Sequence, residues 1–143
     1  MSKYTDTIYA PSTPTGRSAI AIIRVSGKNS KKILKQISPI KKPIPNKTKV
    51  VFLTFKKKLI DQVVITYFKE PKSFTGQEMI EISCHGGIAT IKKICQTLEI
   101  LGARLAEPGE FTKRALMNNK IDLVQTESLS DLINSETEKQ RSL

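Results

Sequence analysis

Across Ser73-Phe74-Thr75-Gly76-Gln77-Glu78-Met79-Ile80-Glu81-Ile82-Ser83-Cys84-His85-Gly86-Gly87 the chain reads as loop, strand and glycine elbow. Gly76 closes the loop, Glu78 to Cys84 alternate as a strand does, and Gly86-Gly87 deliver the backbone into a helical repeat. Alternate strand residues share a face. Ile80, Ile82 and Cys84 are therefore expected on one side, and Glu81, Ser83 and His85 on the other. A carboxylate, a hydroxyl and the chain's single imidazole then stand in one line, and that line is the first candidate for a site.

Downstream, Ile88, Ile91, Ile94, Cys95, Leu98 and Leu101 recur at steps of three and four, predicting a helix that stops at Gly102. Ala103–Ala106 reads as a short strand, and Glu107-Pro108-Gly109 turns the chain into a helix over Glu110–Met117. After the break at Asn118-Asn119-Lys120, Asp122 and Gln125 resemble a capping box opening a last helix. Its apolar positions Leu123, Leu129, Leu132 and Ile133 meet no Gly or Pro stop, so the chain is expected to end in mid-helix.

Upstream, Thr5–Ala10 is a β-rich run closed by the loop Pro11–Gly16. Ala19–Val25 is apolar on both faces up to Arg24, as in a strand inside a sheet. A short helix follows, capped by Asn29 or Ser30, with Ile33, Leu34 and Ile37 on its apolar face. Ser38–Lys49 reads as a loop, and Val50–Phe55 and Val63–Phe68 as a hairpin joined through Lys56–Gln62. The fold class is α+β: a mixed sheet packed with helices over residues 1–120, then the first helix of an all-α domain over 121–143.

A length of 143 residues with 38% apolar side chains suffices for one modest core. No apolar run approaches a membrane span of about 18 residues, and the N-terminus lacks the apolar centre of a secretory signal, so the expected setting is cytoplasmic. Cys84 and Cys95 have neither disulfide-framework nor metal-ligand spacing and are assigned to packing. With one histidine and two distant cysteines, no metal site is expected. The formal charge of +11 resides in the first hundred residues, and Lys28 to Lys58 contains eleven lysines and no acid. Such a field attracts phosphate backbones, and a basic RNA-binding module without a small-molecule ligand is one reading. A solvated, lysine-rich surface is the other.

Catalytic chemistry finds little support. Cys84 and His85 are strand neighbours facing opposite sides, which excludes a hydrogen-bonded nucleophile pair. No phosphate-binding Gly-x-x-x-x-Gly-Lys-Ser/Thr sequence occurs. A stand-alone one-carbon transfer enzyme would have only Glu81 and His85 as general bases, and no catalytic residue is assigned. Recognition remains. Glu81 can accept two parallel hydrogen bonds from an amidine-like edge, such as the ring N–H and exocyclic amine of a pterin or guanine. Arg24 and Lys120 can meet a ring oxygen or a carboxylate tail. The same three residues could equally form a structural ion-pair network, with Arg24 bridging to Glu81.

Asp6-Thr7-Ile8, Thr13-Pro14-Thr15-Gly16-Arg17, Ile22-Ile23-Arg24-Val25-Ser26-Gly27, Ser73-Phe74-Thr75-Gly76, His85-Gly86-Gly87, Pro108-Gly109-Glu110-Phe111 and Asn118-Asn119-Lys120-Ile121-Asp122-Leu123 occur in this order. Together they resemble the N-terminal part of the MnmE (TrmE) tRNA modification GTPase family. The resemblance implies a folate-binding module similar to folate-dependent aminomethyltransferases, which also forms a homodimer. It implies that Arg24, Glu81 and Lys120 contact 5-formyltetrahydrofolate. It further implies a full-length protein that works with the flavoprotein MnmG to place an aminomethyl or carboxymethylaminomethyl group on carbon 5 of the tRNA wobble uridine. The GTPase domain, with its GTP, potassium and magnesium, and the family's C-terminal Cys-x-Gly-Lys are missing from these 143 residues. Cys84 stands where the family commonly has glycine.

Overall fold

The computed structural model describes residues 5–12, 20–118, 134, 136 and 137. Its elements are β1 (Thr7–Ser12), β2 (Ile20–Ser26), α1 (Ser30–Ile37), β3 (Thr48–Phe55), β4 (Lys58–Phe68), β5 (Met79–His85), α2 (Ile88–Ile100), β6 (Ala103–Leu105) and α3 (Glu110–Met117). The strands form one mixed sheet in the order β3-β4-β5-β2-β1-β6, antiparallel throughout except for the parallel β1–β6 pair. The α+β expectation holds, and β5 and β2 lie at the sheet centre.

Strand alternation divides the sheet into two unlike faces. Tyr9, Ala21, Ile23, Val25, Leu53, Val63, Ile65, Tyr67, Ile80, Ile82 and Cys84 form the main core with Ile33, Leu34 and Ile37 of α1 and Ile94 and Leu98 of α2. Helices thus cover this side. On the opposite side, among the described residues, the end of the sheet holding Ile8, Ala10 and Met79 is covered by Ala106 and Phe111. Beyond that end, Ile20, Val50, Phe52 and Val64 are 57%, 65%, 57% and 39% exposed. The two-sided apolar reading of β2 therefore applies to position but not to environment: Ile20 and Ile22 face the open side while Ala21 and Ile23 are buried.

Several expected boundaries move. The hairpin turn is Lys56-Lys57 alone, both with positive φ (50° and 66°), so Asp61 and Gln62 belong to β4 rather than to a loop. Two left-handed residues make the I′ turn whose twist matches the flanking strands, but lysine gives no sequence signal for it. A register shift at Leu53/Thr54 accommodates the extra strand length. Neither expected residue caps α1 through its side chain: Asn29 makes no cap bond, and Ser30 Oγ donates to the Glu78 carbonyl at 3.1 Å. Ile88, expected on the core stripe of α2, is 70% exposed.

Gly27 ties the centre of the sheet to β1. Its φ is +137°, its N–H donates to the Glu78 carbonyl at 2.9 Å, and an added Cβ would lie 2.6 Å from Thr7 Cα. Only glycine permits that approach. Beside it, Ser26 Oγ contacts Thr75 Oγ1 at 2.7 Å and donates to Gln77 Oε1 at 2.9 Å, which anchors the Ser73–Gln77 loop over the strand ends.

Candidate functional site

Arg24 and Glu81 stand directly opposite each other in the β2–β5 register, with Ala10 beyond Arg24 and Thr66 beyond Glu81. Both occupy the open face, so the sequence expectation that they meet is fulfilled. Their geometry is not that of a closed bridge. Arg24 Nε lies 3.8 Å from Glu81 Oε2, beyond hydrogen-bond range, and the side chains are 40% and 30% exposed. Arg24 Nε is nevertheless buried and, among the described residues, has no hydrogen-bond partner. A buried N–H without an acceptor is costly, and a bound polar molecule would relieve it. The residues present therefore fit a ligand that offers an acceptor to Arg24 and donors to Glu81.

Lys120, the third residue expected at this site, lies outside the described residues, as do Thr13–Arg17 and most of the expected helix after Asp122. From that C-terminal segment Glu136 is described, and it is a carboxylate that the sequence reading did not select. Thr112 Oγ1 donates to its Oε1 at 3.0 Å, while Oε2 is buried without a partner among the described residues. Burial raises the Glu136 carboxyl, a shift opposed by Thr112 and the N-terminal amides of α3 and also by the Arg24 charge. Glu136 is thus within electrostatic reach of Arg24.

At the far end of β5, His85 is held by Asp61 of β4. Asp61 Oδ1 is 2.7 Å from His85 Nδ1, and its Oδ2 accepts the His85 backbone N–H at 2.9 Å. The imidazole is 72% exposed and the Asp61 carboxylate 14%. Burial pushes the Asp61 carboxyl up, but the hydrogen bonds from His85 outweigh it and hold the group below its ordinary range. Beside His85 lies a hollow of about 220 Å³ lined by Ile20, Val50, Gln62, Val64, Ser83 and His85, among others. Reading Asp61 as a loop residue concealed this pair from the sequence. Cys84 behaves as packing: it is 3% exposed, and burial pushes its thiol up to about 11.

A second polar cluster, unanticipated from the sequence, supports the loop beside the site. Arg114 of α3 is fully buried and donates to Asp6 Oδ1 at 2.6 Å, Glu110 Oε2 at 2.9 Å, Gln77 Oε1 at 3.1 Å and the Asp6 carbonyl at 2.8 Å. Arg104 joins with a two-pronged bridge to Glu110 at 2.8 and 2.7 Å and a bond to Asp6. Asn118 Nδ2 then donates to the Thr75 carbonyl at 2.8 Å. Among the described residues, no cluster of three or more His, Cys, Asp or Glu could hold a metal ion, and no helix is long and apolar enough to cross a membrane.

The model of the family described as GTP-binding protein TrmE N-terminus matches residues 7–120. The chain belongs to this TrmE N-terminal family. It is 45% identical over 134 residues to the tRNA modification GTPase MnmE of Thermotoga sp. (strain RQ2), covering 93% of this chain and 30% of the relative. It is 47% identical over 141 residues to the protein of the same name from Lactococcus lactis subsp. lactis (strain IL1403), covering 94% and 30%. The Fervidobacterium nodosum protein of that name is also 47% identical, over 147 residues, with the same coverage. The chain therefore spans about 30% of the length of the curated relatives it matches. Within this TrmE N-terminal region, the match includes both Arg24 and Glu81 and every described strand.

Proposed function

We propose that this chain is the folate-binding and dimerising N-terminal portion of a tRNA modification GTPase, with 5-formyltetrahydrofolate or a related tetrahydrofolate as its ligand. The observation that carries the reading is the unclosed Arg24–Glu81 pair on the open face of the sheet, with Arg24 Nε buried and without an acceptor. Glu81 accepts the ring N–H and exocyclic amine of the pterin, and Arg24 donates to a ring oxygen. Lys120 completes the set by resemblance. When bound, the folate supplies or mimics a one-carbon donor; Arg24 and Glu81 orient it and do not react.

Exposed Phe52 on the edge strand β3 supports the dimer: it carries the apolar surface of the open face past the hollow beside His85 to the edge of the sheet. In the full-length setting the protein acts with MnmG on the wobble uridine of tRNA, and GTP, potassium and magnesium belong to the GTPase domain. Calorimetric titration with 5-formyltetrahydrofolate tests the ligand reading. Micromolar binding is expected, and an intact chain that gives no heat would refute it. Sedimentation equilibrium of the same chain tests the dimer.

A second reading, RNA binding, rests on the lysines. The eleven lysines of 28–58 are described, and among the described residues none is ion-paired, whereas Arg104 and Arg114 make salt bridges to Asp6 and Glu110. Lys41, Lys42 and Lys49 rim a hollow of about 480 Å³ on the helix side, floored by Pro39, Ile40 and Val51. This basic side can hold RNA phosphates while the opposite face holds a folate.

A further inference from the structure

The open face carries more than the Arg24–Glu81 pair. Along β5 the residues that share this face are Glu81, Ser83 and His85, flanked in register by Thr66 and Arg24, then Val64 and Ile22, then Ile20. At about 3.3 Å per residue, Glu81 and His85 are separated by about 13 Å. The track between them is apolar on both sides, and the hollow that ends it is lined by Ile20, Val50, Val64, Gln62 and His85. A flat head group on Glu81 leaves this track as the continuous path for the rest of a long ligand.

His85 is prepared for one kind of contact. Asp61 engages Nδ1 at 2.7 Å and also fixes the backbone N–H, so the ring is set by two bonds to one carboxylate. In the neutral tautomer that donates Nδ1–H to Asp61, Nε2 carries the lone pair and is an acceptor. Gln62, exposed and in the same hollow, offers an amide with both a donor and an acceptor. An amide-bearing arylamine matches that set: its ring packs on Ile20, Ile22 and Val64, its N–H meets His85 Nε2, and its carbonyl meets Gln62.

Building on the folate reading, we propose that the His85–Asp61 pair, with Gln62, is the subsite for the arylamide portion of the ligand whose pterin edge is read by Glu81. Glu81 and Arg24 select the ring system. His85, Asp61 and Gln62 select for the tail. Asp61 is a positioning residue in this arrangement, since it acts through the imidazole.

The test is a calorimetric comparison of 5-formyltetrahydrofolate with 6-methyltetrahydropterin, which keeps the pterin edge and lacks the arylamide. The unaltered chain is expected to bind the folate at least tenfold more tightly. His85→Ala should lose about tenfold in folate affinity and leave 6-methyltetrahydropterin binding unchanged, and Asp61→Asn should shift the same ratio by a smaller factor. Glu81→Ala should abolish both. A His85→Ala chain that keeps the wild-type ratio, with an unchanged melting temperature, overturns the subsite and leaves the folate reading standing. An intact wild-type chain that binds neither compound overturns both.

Discussion

Arg114 is the residue on which the loop beside the site depends. It has no exposed surface and joins Asp6, Gln77 and Glu110, which come from the start of β1, the Ser73–Gln77 loop and its own helix. Removing one member of a buried ionic network leaves the others desolvated without compensation, at a cost of about 3–5 kcal/mol. Arg114→Met should lower the stability measured by urea unfolding by that order, whereas Glu81→Ala, on the open face, should change it by less than about 1 kcal/mol. A collapse of the Glu81→Ala chain would instead favour the structural ion-pair reading of Arg24 and Glu81. The acid limb follows from the same network. The hydrogen bonds from Arg104 and Arg114 hold the Asp6 and Glu110 carboxyls below their ordinary ranges despite the burial that opposes it. A carboxyl depressed by folding stabilises the native state above its unfolded pKa, and that stability is lost as pH falls through the folded value. The melting temperature should therefore be level near neutrality and fall below about pH 4, and Glu110→Gln should flatten the fall. A pH-independent melting temperature down to pH 3 would contradict the network's role. Nothing in the spacing of Asp6, Arg104, Glu110 and Arg114 announces this cluster, because its members are brought together by the parallel β1–β6 pair and by α3.

At the scale of elements, strand alternation was the legible part. The pattern from Glu78 to His85 placed Ile80, Ile82 and Cys84 in the core and Glu81 on the other face, where the structure has them. The helix periods of α1 and α2 were legible for the same reason: a single apolar stripe at steps of three and four admits one orientation. The β3–β4 connection was not. A two-residue turn normally advertises itself through Asn or Gly, and here two lysines adopt positive φ instead. The consequence reached the site, since a turn drawn as far as Gln62 removed Asp61 from the strand and hid the partner of His85. Left-handed backbone costs a non-glycine residue roughly 1–2 kcal/mol. Replacing Lys56-Lys57 by Asn-Gly should accordingly stabilise the chain by about 1 kcal/mol, read from the denaturation midpoint at an unchanged slope. An unstable or unchanged variant would mean that the lysines are held by contacts beyond the turn.

For the whole molecule, the two faces of the sheet divide the chemistry. Helices α1 and α2 and the hollow rimmed by Lys41, Lys42 and Lys49 occupy one side; the Arg24–Glu81 pair, the exposed apolar residues and His85 occupy the other, with α3 at its end. Reversing Lys41, Lys42 and Lys49 to Glu should reduce the slope of log affinity for tRNA against log salt by about two to three units, without altering folate binding. The control Lys92→Glu/Lys93→Glu, on α2, should change it less. Equal losses would mean a diffuse field rather than a surface with a place on the fold.

Two-layer proteins normally bury both faces of a sheet or leave one to water with polar side chains. Here the uncovered face is part apolar and part ionic, and its centre contains an N–H awaiting an acceptor. A ligand lying there would act as a replaceable third layer. Occupancy and folding would then be coupled, since at a hundredfold excess over its dissociation constant the ligand adds about 2.7 kcal/mol to the native state. The supply of whatever ligand this face takes would thereby be registered as the lifetime of the domain, before any chemistry occurs on it.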